Sequence, residues 1–514
     1  MDGHRQSWGG PAASKASRRA FLRGTAAAGV GAAIATLWDP ANLVQVRKAQ
    51  AAAAPLAAVR SPIRGTWIAD SGGGLSQASD DRVQMAHLLR RAGFSATPAE
   101  IDAMLPLGVA GAVDALLNYD QVNDPALDYA NSVGLDLSKT TDAIRWWLLR
   151  MVYTTRPLQE KLTLFWHGIL TSAVSKVSQR YLNTLLAQNE FLRANATSTY
   201  DVLLKGISRD PAMMVWLDLQ TSTKAHPNEN FARELQELFS LGIGNYSEDD
   251  VREVARALTG YQLDKDRHFV YNAKQHDDGS KTYLGQTGNW SGDDIINIIL
   301  QQRAAAEYIS KRLWTFFAYP NPESEVVSTL ADTFQSSNYS IKTVLRQLFN
   351  MPQFYSDAAL GALIKSPTEF VVGAVRSLGL QTDASTFPQQ MSLMDQLLFD
   401  PPNVAGWPGG TTWLSSSTFF ARMNFLNNLI YAKAGGPTSQ PDATQLLGDY
   451  ASLSPDDAIG AAAARLLSAQ LGGSSSQVIT QFLSDSNGGM AQVTDKNVKS
   501  FLYLVLATPE GQLV

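Results

Sequence analysis

His226 to Tyr261 reads HPNENFARELQELFSLGIGNYSEDDVREVARALTGY, and its periodicity decides the fold class. Asn228 is a helix N-cap by type, and Glu229 follows where the helix dipole favours an anion. Phe231, Leu235, Leu238 and Phe239 recur at i, i+4, i+7 and i+8, which makes one apolar stripe. Glu229, Arg233 and Glu237 lie four apart on another line, and Asn230 and Glu234 form a second i, i+4 pair. Leu241-Gly242 is the expected stop. Ser247 then caps a second helix with Glu248, Asp249 and Asp250 in its first turn. Val251, Val254, Ala255 and Leu258 form its buried face, and Gly260 ends it. The segment is therefore two amphipathic helices joined by a short loop.

The same period extends outward in both directions. Val83, Ala86, His87, Arg90 and Arg91 precede Gly93. Thr97-Pro98-Ala99-Glu100 combines an N-cap, a first-turn proline and an early acid. Asp142 to Tyr153, Leu158 to Ile169, Gln179 to Ala196 and Asp293 to Asn350 continue in helical period. Strand-like alternation is scarce. Its exception is His268 to Leu284, where two extended runs flank Asp277-Asp278-Gly279 and predict a β-hairpin. The expected fold is mainly α, a multi-helical bundle-like body with a small β-hairpin insertion and a Pro/Gly/Trp-rich loop over Pro401 to Trp413. Composition shifts divide the chain into a signal segment (1–51), a linker (52–79), a main helical domain (80–434), and a linker with a small helical tail (435–514).

Ser17-Arg18-Arg19-Ala20-Phe21-Leu22-Arg23 is a twin-arginine export signature. An apolar stretch from Gly24 to Leu37 follows, and Ala49-Gln50-Ala51 is a small-residue cleavage candidate. Arg18 and Arg19 imply the twin-arginine translocase as a partner during export, with the periplasm, cell surface or extracellular space as destination. The chain has 514 residues, 45 % of them apolar, a net charge of -5 and no cysteine. Without cysteine there are no disulfides, no thiolate catalysis and no cysteine-ligated metal. No basic excess points to nucleic acid. No apolar run after the signal reaches the ~18 residues of a membrane span.

Candidate chemistry concentrates in His226 to Glu237. One reading is a cap with surface and interhelical ion pairs. The other is a site in which His226, Asn228, Asn230, Arg233 and Glu237 bind a ligand while Glu229 or Glu234 exchanges protons. A divalent metal would draw on His226 with His167 or His276, although one histidine within the segment is a thin set of ligands. His167 follows Phe165-Trp166 and suits a buried, hydrogen-bonded role as well. Asp277 is a third candidate catalytic carboxylate, although it sits in the proposed turn, where aspartates also serve turn chemistry. Trp407, in Asp400-Pro401-Pro402-Asn403-Val404-Ala405-Gly406-Trp407-Pro408, is either packing or an aromatic platform. No GxSxG, His-Glu-x-x-His, P-loop or EF-hand pattern occurs.

Taken in order, HLLRRAGF (His87 to Phe94), EKLTLFWHGIL (Glu160 to Leu170), RDPAMMVWLD (Arg209 to Asp218), the Pro227 to Tyr261 stretch, KTYLG (Lys281 to Gly285) and FDPPNVAGWPGG (Phe399 to Gly410) resemble a bacterial exported family, domain of unknown function 1800. The resemblance runs from about His87 to Asn424. It implies export and gene company with a second exported family related to sulfatases and alkaline phosphatases. It brings no catalytic residues. The chain departs from it after Trp166-His167, where Gly168-Ile169 replaces the family's usual second histidine. Three functions follow: a secreted binding or assembly partner of another exported enzyme, ranked first; a secreted hydrolase using the carboxylates of the His226–Glu237 segment; and an exported carrier of a metal or cofactor.

Overall fold

The computed structural model describes residues 28–38, 75–431 and 439–514. Arg18, Arg19, the cleavage candidate and residues 52–74 of the linker lie outside them. The described chain is mainly α, with two small antiparallel ladders. From the N-terminal side come α1 (Ala28–Leu37), α2 (Leu75–Ala92), α3 (Pro98–Met104), α4 (Gly108–Leu117), α5 (Ala126–Ser132), α6 (Thr140–Tyr153) and α7 (Pro157–Ile169). Next are α8 (Val174–Val177), α9 (Leu182–Ala194), α10 (Tyr200–Ile207), α11 (Pro211–Trp216), α12 (Glu229–Glu237) and α13 (Glu248–Ala257). After the ladders run α14 (Gly292–Gln301), α15 (Arg303–Phe317), α16 (Ser324–Ser336), α17 (Ile341–Asn350), α18 (Pro367–Ser377) and α19 (Phe387–Leu393). The last are α20 (Ser416–Tyr431), α21 (Ala443–Leu447), α22 (Pro455–Leu466), α23 (Gly473–Ser486) and α24 (Val498–Ala507).

Local chemistry explains the helix starts. Thr97 and Glu100 form a reciprocal capping box at α3, as do Ser247 with Asp250 at α13 and Ser366 with Glu369 at α18. Asn228 caps α12 by accepting the Asn230 N–H. That helix ends at Glu237, before the expected stop, and wider turns carry the chain on to Gly242. Gly260 holds φ +84, and a Cβ there would lie 2.6 Å from the Asn272 carbonyl oxygen, so only glycine fits.

Two hydrophobic cores fill the body. The first is built by α2 to α4, α7 and α10 to α17, with Leu162, Trp166, Phe231 and Trp314 fully buried. The second is built by α1, α6 and α18 to α24 around Trp147, Phe370, Phe425 and Tyr503. Helix α7 is the seam: Leu162 and Trp166 enter the first core while Leu164 enters the second.

Two regions differ from the sequence expectation. The single hairpin over His268 to Leu284 does not form. Phe269–Tyr271 (β2) pairs backward with Tyr261–Leu263 (β1), and Lys281–Tyr283 (β3) pairs forward with Gln286–Gly288 (β4). The turn lies at Leu284-Gly285, both at positive φ, which suits a two-residue hairpin. The Asp-Gly signal misled because Asp277 turns the chain locally, accepting the Gly279 N–H at 2.8 Å, while Arg256 holds its carboxylate. Secondly, the C-terminal helices are no separate tail. Phe501 through Ala507 are all buried, and they share the second core with α18 and α20. A helix apolar on every side has to be enclosed. Val30, Ile34 and Leu37 of α1 pack into that same core. Trp38 seals the end by donating its indole N–H to the Ala507 carbonyl at 2.8 Å. Among the described residues no helix is long and apolar enough to cross a membrane.

Candidate functional site

The 171–178 segment after α7 gathers distant parts of the chain. The Val174 N–H donates to the Phe399 carbonyl at 2.9 Å, and the Ser175 N–H donates to Asp400 Oδ1 at 3.1 Å. Thr171 Oγ1 donates to the Val404 carbonyl at 2.7 Å. Lys176 Nζ reaches the Trp216 carbonyl at 2.7 Å and Asp218 Oδ2 at 2.8 Å. Asp218, itself left-handed at φ 59, then meets the α12 N-terminus. Asn228 Nδ2 donates to the Asp218 carbonyl at 3.2 Å, and Asn230 Nδ2 lies 3.5 Å from Asp218 Oδ2. Asp400, Lys176, Asp218, Asn228 and Asn230 thus form one continuous polar strip at the surface.

The rest of the charged α12 face adjoins this strip. Arg233 binds both oxygens of Glu248 on α13, at 2.7 and 2.8 Å, and stands 3.5 Å from Glu229. Glu237 does not join that line; it accepts the Tyr246 hydroxyl at 2.7 Å. Burial, and then the neighbouring Glu237, raises the Glu234 carboxyl above its ordinary range. His226 is exposed and belongs to a small turn with Thr223.

The other candidates sit elsewhere. His276 is buried and donates Nδ1–H to the Thr259 carbonyl at 2.9 Å. Asp277 is clamped by Arg256, at 2.7 and 3.2 Å, which holds its carboxyl down at about 2. It is an anion at any working pH and has no proton to give. His167 is enclosed by Trp147, Phe399 and Trp407, with ring centroids 5.2 to 5.7 Å away. Burial pushes it down to about 4, so it is neutral. Trp407 is half-buried against it. A Cβ at Gly406 would lie 2.3 Å from the Gly168 carbonyl oxygen, so the loop presses directly on the α7 terminus. Among the described residues, no group of three His, Cys, Asp or Glu comes close enough to hold a metal ion. His167, His226 and His276 occupy three separate environments.

The family described as protein of unknown function (DUF1800) matches residues 87–513. The chain belongs to this family. It matches no curated protein and no solved structure.

Seen in this DUF1800 protein, the motifs that carried the resemblance divide into two kinds of work. PNEN, Asp218 and Asp400 build the surface strip. HLLRRAGF and EKLTLFWHGIL build buried polar contacts that sequence reasoning passed over. Glu160 takes Arg193 at 2.6 and 3.1 Å and the Trp147 indole N–H at 3.0 Å. Lys161 pairs with Glu369 and also donates to the Gly93 carbonyl at 2.9 Å. Asp210 caps α11 by accepting the Met213 N–H at 2.8 Å and takes Gln188 Nε2 at 2.7 Å; burial raises it to about 7. The available signal was a charge in phase with the apolar stripe. Lys161 is one residue from Leu162 and three from Leu158, the position of a buried residue.

Proposed function

We propose that this DUF1800 protein is an exported binding protein that works beside another exported protein, and that it binds through the strip of Asp400, Lys176, Asp218, Asn228 and Asn230 with the adjoining Glu229 and Arg233. One observation carries the reading. Segments far apart in sequence spend their polar groups on fixing one another here, yet the fixed groups remain exposed: Lys176 and Asp218 keep 41 % and 43 % of their side-chain surface. A preorganised polar surface loses little entropy on binding and selects partners by charge pattern. The Ser17 to Arg23 signature supports export, and the resemblance supports a sulfatase- or phosphatase-like partner.

The test uses the full-length tagged chain in a host with a twin-arginine translocase, with capture from the cell-envelope fraction. The wild type is expected to retain an exported protein of the sulfatase/phosphatase-like class. Asn230→Arg, placed where its native bond is longest, should reduce that retention at least tenfold with an unchanged melting temperature. Arg18→Lys with Arg19→Lys should leave the precursor in the cytoplasm and abolish capture. Equal retention by wild type and Asn230→Arg, or no such protein retained, overturns the binding face. Export of the double lysine variant overturns the route.

A further inference from the structure

A cleft of about 640 Å³ opens where the two cores meet, lined by none of the residues of the polar strip. Leu89, Met104 and Leu116 line it from the first core. Val152, Val375 and Leu380 line it from the second. Its size falls within the ~300–1,000 Å³ of small-molecule sites, and such sites favour seams between packed units. An apolar cleft of this volume fits a chain of many methylenes.

The charges at its edge give the other end of the ligand. Glu100, Arg156 and Arg376 are the ionised side chains of the lining. Arg376 is already engaged through both Nη groups: they donate to the Val152 carbonyl at 2.8 Å, the Thr154 carbonyl at 3.1 Å and Glu100 Oε1 at 3.1 Å. Glu100 is held in turn by the Thr97 N–H at 2.7 Å. That pair is neutral and structural. Arg156 is different. It uses Nε for the Val122 carbonyl at 2.7 Å, and among the described residues it forms no ion pair and its Nη groups have no hydrogen-bond partner, so they can meet a ligand. The lining therefore carries one uncompensated positive charge beside a long apolar cleft.

We infer that this cleft binds a long-chain monocarboxylate, with the carboxylate on Arg156 and the alkyl chain between the two cores. A guanidinium matches a carboxylate in geometry as well as charge. The alkyl chain replaces water against six aliphatic side chains, which is the larger part of the affinity.

The full-length purified protein, stripped of lipid, is titrated with cis-parinaric acid, whose fluorescence rises in an apolar site. One saturable site is expected, emptied by palmitate and at least tenfold less well by 1-hexadecanol, which keeps the chain and lacks the charge. Arg156→Gln should weaken palmitate about tenfold, which is about 1.4 kcal/mol. Ala115→Phe, which fills the cleft without removing a polar group, should abolish binding. Melting curves of both variants check the fold, and Arg156→Gln keeps the test alive should Ala115→Phe fail to fold. Three results overturn the inference: no saturable binding by folded wild type, equal displacement by hexadecanol and palmitate, or wild-type affinity in Arg156→Gln.

Discussion

Arg233 and Lys161 each face a carboxylate across a helix pair, and little else about them is alike. Arg233 and Glu248 join α12 to α13 at the surface, with 34 % and 66 % of their side chains exposed. Lys161 and Glu369 join α7 to α18 inside the protein, with 1 % and 10 % exposed. Glu369 is also the acid that acts on the buried Arg91 and Arg422 and the partly buried Lys365. Several of these cations are solvated by backbone carbonyls: Arg91 by Ala359 at 3.0 Å, Lys365 by Gly511 at 2.9 Å, Arg422 by Lys365 at 2.7 Å. Chain ends of helices and loops stand in for water around them. The comparison teaches that the density of charge along a sequence locates neither the costliest pair nor the most constrained one. Dielectric surroundings decide, and those are set by the partner helix.

The largest expected effect follows from the buried side. Burial alone would raise the Glu369 carboxyl, but Lys161 and the Ser366 cap outweigh it and hold it low. Glu369→Gln leaves Lys161 without its counter-charge among other cations. It should cost about 3–5 kcal/mol of unfolding free energy, the usual penalty for breaking a buried pair from one side. Lys161→Met combined with Glu369→Leu should recover only part of that loss: it removes the desolvation penalties of this pair but leaves Arg91, Lys365 and Arg422 without the acid. Urea denaturation of the three variants measures this. A loss in Glu369→Gln no larger than a surface substitution gives would erase the distinction between the two regions.

The next effect sharpens the comparison through pH. Asp210 rises from 3.8 to about 7 by burial. Its folded pKa lies above the unfolded one, so its contribution is fully present below about pH 4 and is lost as pH rises through 7. His167 drops from 6.5 to about 4, and His87 also falls well below its usual value, both first by burial. Their contribution is present above pH 6.5 and is lost as pH falls through the folded value. The two trends oppose each other between pH 4 and 6.5. Asp210→Asn keeps the cap and removes the titration. It should steepen the rise of stability with pH in that window and leave the protein about 2–4 kcal/mol more stable than wild type at pH 8. Denaturant midpoints from pH 4 to 8 check it; parallel curves for wild type and Asp210→Asn would show that Asp210 stays ionised.

Much of this architecture was legible in the sequence because helical period and capping are local. Asn228, Ser247 and Thr97 needed no partner from elsewhere to be read as caps. The strip was half legible. Asn228, Asn230 and Arg233 stood out as a polar run, whereas Lys176, Asp218 and Asp400 join them only through the loop after α7. The false hairpin shows the limit from the other side. Asp277-Asp278-Gly279 has the right residues for a two-residue turn, but β2 finds its partner upstream, and Arg256 claims Asp277 through a contact 21 positions away in sequence. Register is a tertiary property wherever strands are three residues long. Lys161 and Glu369 were missed for the same reason: 208 positions separate them.

The smallest expected effect belongs to Arg233 and Glu248. Both oxygens of Glu248 are engaged, and that geometry alone would suggest a strong bond. Water competes for the same groups, and salt screens what remains. Arg233→Ala, Glu248→Ala and the double variant should each melt within about 1 °C of the wild type, in a protein this large, and still closer in 0.5 M salt. Asn228 and Ser247 remain to start the two helices, and Phe231, Leu235, Val251 and Val254 remain to pack them, so the hairpin does not need the pair. If α12 and α13 are held instead by their charges, the two single variants will melt clearly earlier, the double variant will show strong coupling, and added salt will lower the wild type towards them. That result would move the α12 face from the exposed class to the buried one and make the contrast with Lys161 one of degree. The expected outcome leaves Arg233 and Glu229 free to be judged by binding alone, because a variant that keeps its stability and loses its partner has lost the contact itself.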